Sequence, residues 1–517
     1  MAIAGDMHYR AYKPAPFAKS EVDKVEVLFG GLHWRAEALI AAVLQNLGYK
    51  ARALPVATKD DLFTGKELAD IGQCCPTSFT TGNLANFLKG EVEKSGAEAV
   101  RDGYVYVTAG ACGACRFGQY HQSYELALKN IGLDAFRMFL LDQEKPDQGA
   151  VEGGGFEVSM PMTLGLVWAI LVADVIQSIE YRTRPYEVEK GATDRAVRES
   201  IAYLEEVFRN RPKRGKKWSN LAWHFSTNYF VNALKECFKK FEAIEVDRLQ
   251  PKPVVKITGE FYLQTVEGDP NYNIHSWLES EGAEVIPAPV AVWLDYLIRF
   301  QIQALEDYVG VDKSAKRKVA ALKGVQKVYR WNYDRLRKAL GGIPHDMPDQ
   351  WEIRRLAAPY FHHQLSGGEG DMLIGKAIYY HTHRKAHMIC ELSPYGCMPN
   401  TMSIGAMAGA IGKHPDLLYA PIEVKGDAEI HALSRCQMIL TEAKKRAIRE
   451  YVQAMEVSGL DPETAKPLLD KRPEIARAGF AMPHHGAAGM AANTLLHLAG
   501  KSIQTPAETA EKEQAAA

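Results

Sequence analysis

VEVLFG (25–30) is a short apolar run that ends in glycine, and its reading decides the fold. Apolar residues then recur at helical spacing from Trp34 to about Leu47, and a second strand-like run follows at 49–56. Strand, helix and strand at this spacing form a βαβ unit, which builds a parallel sheet. The pattern continues with YVYVTAG (104–110) as strand and loop, 119–131 as helix and FRMFLLD (136–142) as strand. A first α/β lobe is therefore expected over 25–150, behind a loose N-terminal arm at 1–24.

Outward from this lobe, GAVEGGGFE (149–157) marks a glycine-rich break. Residues 151–250 read as a helical insertion in which RPKRGKKW (211–218) is a solvated turn. PVVKITGEFY (253–262), NIHSWLESEG (273–282) and EVIPAPV (284–290) repeat strand, helix and strand. They predict a second α/β lobe with further helices over 251–372. AHMI (386–389) and LLYAPIEV (417–424) are strands of a third α/β segment at 373–445. The rest, 446–517, reads as a helical region ending in a disordered or frayed tail, TPAETAEKEQAAA.

The chain has 517 residues, too many for one ordinary core. It carries 62 Lys and Arg against 63 Asp and Glu, a net charge of −1. That balance argues against a protein built to coat nucleic acid or an anionic membrane. The N-terminal MAIAGDMHYRAYKPAPF (1–17) has no apolar signal-peptide core. The most apolar stretch, 160–173, is too short for a membrane span and is ended by Asp174. A cytoplasmic protein is expected, in which the eight cysteines stay reduced.

Cys237 and Cys436 lie in amphipathic helical runs and read as packed core residues. The other six fall at or just after strand ends, where open parallel sheets bind ligands. Cys74 and Cys75 sit in IGQCCPTSFTTGN (71–83), Cys112 and Cys115 in CGAC after a strand, and Cys390 and Cys397 around ELSPYGCMPN (391–400). Thiolates from such loops bind iron well, and nearby N–H donors tune a cluster. Zinc needs a second pair or close histidines, and the close candidates, His381, His383 and His387, fall in another segment. A thioredoxin-like redox pair and a purely structural role stay open on spacing alone.

At these residues the chain resembles the acyl-CoA dehydratase activase-related proteins. These belong to the superfamily of 2-hydroxyacyl-CoA dehydratase and benzoyl-CoA reductase cluster subunits, which includes the double-cubane cluster proteins. The stretches that carry the likeness are 32–51 leading to CCPTSFTTGNL (74–84), TAGACGACRFGQYHQSYELALKNIGLDAFRMFLLDQ (108–143), 255–289, and SPYGCMPNTMSIGA (393–406) leading to 421–438. Together they span roughly 25–445. The resemblance implies several Rossmann- or flavodoxin-like parallel-sheet lobes with helical insertions. It implies an iron–sulfur cluster between lobes, held by Cys75, Cys112, Cys115 and Cys397, with Cys74 and Cys390 as extra candidates. The cluster would be [4Fe-4S] with an open iron site, or a double-cubane [8Fe-9S] that needs about six thiolates. The Cys-Gly-x-Cys pair departs from simple dehydratase subunits, which use three scattered cysteines, and puts classical dehydration in doubt.

The resemblance also implies a separate ATP-hydrolysing activator of the ASKHA type that injects low-potential electrons, and pairing with a like fold as a homo- or heterodimer. Arg116 could stabilise a negative cluster or intermediate, or form a surface salt bridge. His121 could donate a proton, or cap its helix. Glu260 matches a retained family position and could line the cleft. Arg35 could clamp an anion, against the reading of an Arg–Glu pair fixing the helix start. SGGEGD (366–371) could cradle a phosphate but is better suited to a hinge. PHHG (483–486) could bind a metal. A non-catalytic electron-transfer or maturation subunit, or a zinc-stabilised scaffold, are the alternative functions.

Overall fold

The computed structural model describes residues 14–69, 72–110, 115–141, 154–212, 217–365 and 368–516. β1 (Glu26–Phe29), β2 (Lys50–Ala53), β3 (Tyr104–Ala109) and β4 (Arg137–Leu141) form one sheet in the order β2-β1-β3-β4. β5 (Val254–Gly259), β6 (Glu284–Ile286), β7 (Met388–Pro394) and β8 (Tyr419–Val424) form another in the order β6-β5-β7-β8. Every pairing is parallel: Glu26 lies opposite Lys50 and Tyr104, and Val255 opposite Met388. The chain is thus α/β with two parallel-sheet lobes of the same winding. The strand order reverses between β1 and β3 and again between β5 and β7. Open parallel sheets bind ligands outside the carboxyl ends of their strands at such a point.

Both faces of each sheet are covered, which explains the apolar character of the strands. Val27, Phe29 and Val105 share a core with Leu39 and Val43 of the helix Trp34–Asn46 and with Trp168 and Val172 of the helix Met160–Thr183. The opposite face packs Leu28, Tyr106 and Met138 on Leu84, Tyr124 and Leu128. In the second sheet Val255, Ile257 and Leu392 meet Leu278 and Leu440, while Val254, Ile286 and Ile389 meet Ile374, Ile378 and Met407.

The helix Met160–Thr183 starts at Ser159, whose hydroxyl accepts the Met162 N–H, with proline in the first turn. It is long and apolar enough to cross a membrane by length and composition, yet most of it is buried inside the protein. Asp174 does not end it. Its carboxylate accepts the Ala291 N–H at 2.7 Å and pairs with His33 Nε2 at 3.1 Å, so a buried charge is satisfied within the helix.

Four expectations are corrected. The segment 373–445 builds no sheet of its own, because β7 and β8 complete the sheet that β5 and β6 begin. Two parallel strands alone would leave most of their backbone edges unpaired. The arm is docked from residue 14: Phe17 is fully buried, and the Ala15 N–H bonds the Ala135 carbonyl. The tail forms the helix Pro506–Ala516. Thr505 accepts the Glu508 N–H while the Glu508 carboxylate accepts the Thr505 N–H, a reciprocal cap on a run of good helix formers. RPKRGKKW is not solvated throughout, since Arg211 is buried and donates to the Pro161 carbonyl; residues 213–216 lie outside the described residues.

Candidate functional site

Three loops place the candidate residues: two follow β3 and β7, whereas the Cys74–Cys75 loop joins the helices Lys59–Leu68 and Cys75–Ser95 and does not follow a strand as expected. Cys74 caps the helix Cys75–Ser95, which has proline in its first turn. Cys397 caps the helix Met398–Lys413 in the same way, directly after β7. Both caps take the extended conformation usual for an N-cap, and each proline lies in the first turn, where its missing N–H is no loss. Cys115 lies five residues beyond the β3 loop's Gly110, just before the turn that opens the helix Tyr120–Asn130. Cys112 lies outside the described residues.

The loops of the two lobes touch. The Cys75 N–H donates to the Tyr395 carbonyl at 3.2 Å. Gly396 has φ +79°, and a Cβ there would stand 3.5 Å from Cys74 Cα, so glycine lets the Cys397 loop turn beside the Cys74 loop. Gly259 is tighter: at φ +129° its Cβ would meet the Leu392 carbonyl oxygen at 2.2 Å. This close approach of β5 to β7 delivers Glu260 beside the cysteine loops.

Burial is the main influence on each thiol. It pushes Cys115 up to about 12, with the charges of Glu260, Glu369 and Cys74 adding to the rise. Burial raises Cys397 too, with Glu260, Glu369 and Cys115 contributing. Cys74 rises for the same first reason, against hydrogen bonds from Thr77 and Tyr120. Its sulfur lies 2.9 Å from the Tyr120 hydroxyl and 3.3 Å from Thr77 Oγ1. Cys75 is raised by burial and by Cys74, and its other charged neighbours are Lys66, Asp427 and Glu260. Cys74, Cys75, Cys115 and Cys397 all feel the charge of Glu260. Cys390 does not join them. It is fully buried within β7, in the same core as Cys436, whose thiol hydrogen-bonds with its own.

Two carboxyls complete the pocket. Glu260 caps a short helix, accepting the Leu263 N–H at 3.0 Å, and desolvation pushes it up to about 7. Glu369 is pushed up to about 8 by burial and by Glu260. Lys376 lies against Glu369 and Glu391, and burial lowers it to about 8. Sequence reasoning missed Glu369 and Tyr120. The only signal for Glu369 was a lone acid between glycines in SGGEGD. Gly368 and Gly370 both take positive φ, turning the loop so that Glu369 is buried. Ser366 and Gly367 of that motif lie outside the described residues.

The other candidates separate. The Arg116 guanidinium donates to the Gly72 carbonyl, just ahead of Cys74, and so ties two cysteine loops together. His121 lies in the first turn of the helix Tyr120–Asn130. Arg35 is spoken for: it binds both oxygens of Glu180 at 2.5 Å and Glu267 at 2.7 Å. His381 packs edge-on to His414, His383 pairs with Glu352, and His387 with Glu450. His484 meets the Arg384 carbonyl, whereas His485 meets His497 and Ser502.

As a donor set, buried thiols from three loops at two helix N-termini suit an anionic iron–sulfur cluster. Such thiols stay protonated until a metal displaces the proton, and the helix dipoles favour the negative charge. Among the described residues, no three His, Cys, Asp or Glu side chains stand close enough to hold a metal ion as placed. No protein-family description matches the chain, and no curated protein matches it.

Proposed function

We propose that this chain is an iron–sulfur protein that receives low-potential electrons from an ATP-dependent activator and uses them for reductive chemistry on a small molecule or an acyl-CoA. The observation that carries the proposal is the meeting of the Cys74–Cys75 loop with the Cys397 loop, at the switch points of two parallel sheets, with Cys115 in the same environment. Cys75, Cys112, Cys115 and Cys397 would hold the cluster, with Cys74 as an extra candidate. A bound [4Fe-4S] or double-cubane cluster supplies single-electron reduction. The chain's own groups set the surroundings. Glu260 and Glu369 hold protons near neutrality next to the thiols, as a reductive site requires of its proton donors. Arg116 fixes the approach of the Cys115 loop to Gly72. The activator would dock as a separate protein, and a second chain of like fold would complete a dimer in a cytoplasmic, reducing setting.

Anaerobic purification after iron-replete expression tests this. A brown protein with about four or about eight irons per chain is expected. A colourless protein with stoichiometric zinc contradicts it and leaves a zinc-stabilised scaffold. Iron-loaded protein is then assayed with activator and ATP for reduction of acetylene, azide or an acyl-CoA. Turnover supports the reductive role; iron without turnover of any of them assigns an electron-transfer or maturation subunit instead.

A further inference from the structure

The helix Ala315–Ala339 follows the helix Val290–Glu306 through the loop 307–314. Residues 306–338 carry ten Lys and Arg against four Asp and Glu, in a chain whose net charge is −1. The inner face of this helix is ordinary core. Val319, Tyr329, Tyr333 and Leu336 are buried, and the Tyr329 hydroxyl donates to the Ala291 carbonyl at 2.9 Å.

The outer face is different. Arg317, Ala321, Gly324, Val328 and Trp331 recur at i, i+4, i+7, i+11 and i+14, which is one stripe of a helix, and all five are exposed. Val325 flanks the stripe at 52% exposure, and Trp331 stands at 51%. At the N-terminal end of the helix Val311 is 84% exposed, close in the chain to exposed Tyr308. A Cβ at Gly324 would meet nothing within 4 Å, so the stripe is open along its middle.

Cations surround these apolar groups. Lys318 and Lys323 pair with Asp312 and Glu306, and the Arg335 guanidinium lies over the Trp331 ring at 4.4 Å. Among the described residues, Lys313, Lys316, Arg317 and Lys327 have no carboxylate partner. Exposed valines and an indole gain nothing from water, and cations crowded on one element repel one another. Together they fit a surface that is anionic at its face and apolar beneath.

We infer that this helix and the loop before it dock reversibly on a lipid bilayer that carries anionic head groups. The head groups meet the unpaired Lys and Arg, while Val311, Val325 and the Trp331 ring enter the interfacial layer. Nucleic acid would meet the same cations but leave those apolar side chains in water. An acidic protein would need a groove shaped to a protruding helix, whereas a bilayer conforms to it. The near-neutral charge of the whole chain conceals this face, because the excess cations gather on one element. The inference stands apart from the cysteine pocket and does not rest on the proposed function.

The test is sedimentation of the full chain with vesicles of phosphatidylcholine alone, and of phosphatidylcholine with about 30% phosphatidylserine. The phosphatidylserine vesicles are expected to carry the protein down, with neutral vesicles weaker by about a hundredfold. A triple variant, Lys316→Glu with Arg317→Glu and Lys327→Glu, is expected to lose this binding. A control triple, Lys239→Glu with Lys413→Glu and Lys445→Glu, makes the same change of charge on other helices and is expected to keep it. Val311→Ser with Val325→Ser leaves every cation in place and is expected to weaken binding by about tenfold. No sedimentation with either vesicle, equal sedimentation with both, or equal loss in the two charge variants would overturn the inference. Tighter binding to polyglutamate or to a duplex oligonucleotide than to the phosphatidylserine vesicles would assign the face to an acidic protein or to nucleic acid, and would overturn it too.

Discussion

Glu37 shows how one side chain sets both shape and pH response. Desolvation pushes its carboxyl up to about 7, against the lowering effect of the Leu32 and Gly31 N–H groups. A carboxyl raised on folding binds its proton more tightly in the folded state. Its favourable contribution is complete below the unfolded value near 4.5 and is lost as pH rises through about 7. Glu37→Gln should therefore match the parent protein near the lower value and exceed it by about 2 kcal/mol at pH 8, as urea unfolding at the two pH values would report. A parent protein that is the more stable of the two at pH 8 would refute this. The role of Glu37 was not legible in sequence. Its position three residues into a helix after the first strand suggests a pair with Arg35, whereas its partners are backbone N–H groups that no side-chain pattern reveals. The cysteines were more legible. Glycine precedes Cys397 and proline stands two residues after it, and a proline follows Cys75, which places both at the starts of helices. The contact of Cys74 with the Tyr120 hydroxyl, 46 positions away, has no sequence signal.

At the scale of elements, βαβ periodicity located the eight described strands to within about five residues; β5 and β7 are buried along their whole length, whereas β2, KARA, is an exposed edge strand placed by the helix before it rather than by an apolar run of its own. What it could not supply was the union of β5 with β7, which are separated by more than a hundred residues of mostly helix. Gly259 secures that union. Gly259→Ala should cost more than about 3 kcal/mol, since both the positive φ and the Leu392 carbonyl oppose a Cβ. A variant with an unchanged thermal midpoint would contradict the close approach. The helix Met160–Thr183 offers a second test. Asp174→Ala strands the Ala291 N–H in the core and should cost about 3 kcal/mol in denaturant unfolding, with Asp174→Asn milder. A neutral outcome for Asp174→Ala would mean that the helix does not seat on that N–H.

At the scale of the molecule, the lobes are fastened by contacts of unequal weight. Lys59–Glu429 and Lys66–Asp427 cross between them but are largely exposed, and such pairs contribute little. Arg35 is different. It is buried, and it joins the first lobe to Glu180 of the insertion and Glu267 of the second lobe. Arg35→Met leaves Glu267 without its cation and Glu180 with Arg184 alone, and should cost about 3 kcal/mol, whereas Lys59→Met should be close to neutral. Equal effects of the two would show that the lobes are held some other way. The cysteine pocket depends on this fastening, because its ligand candidates come from both lobes.

The most direct test is the iron content of anaerobically prepared protein carrying Cys397→Ala, beside the parent and Cys237→Ala. Cys237 is buried in the helix Tyr229–Glu242, in the core around the insertion and away from the loops, and serves as the control. A cluster shared between the lobes predicts that Cys397→Ala loses most of its iron while Cys237→Ala keeps the parent's. Full iron in Cys397→Ala, or equal loss in both variants, would contradict it.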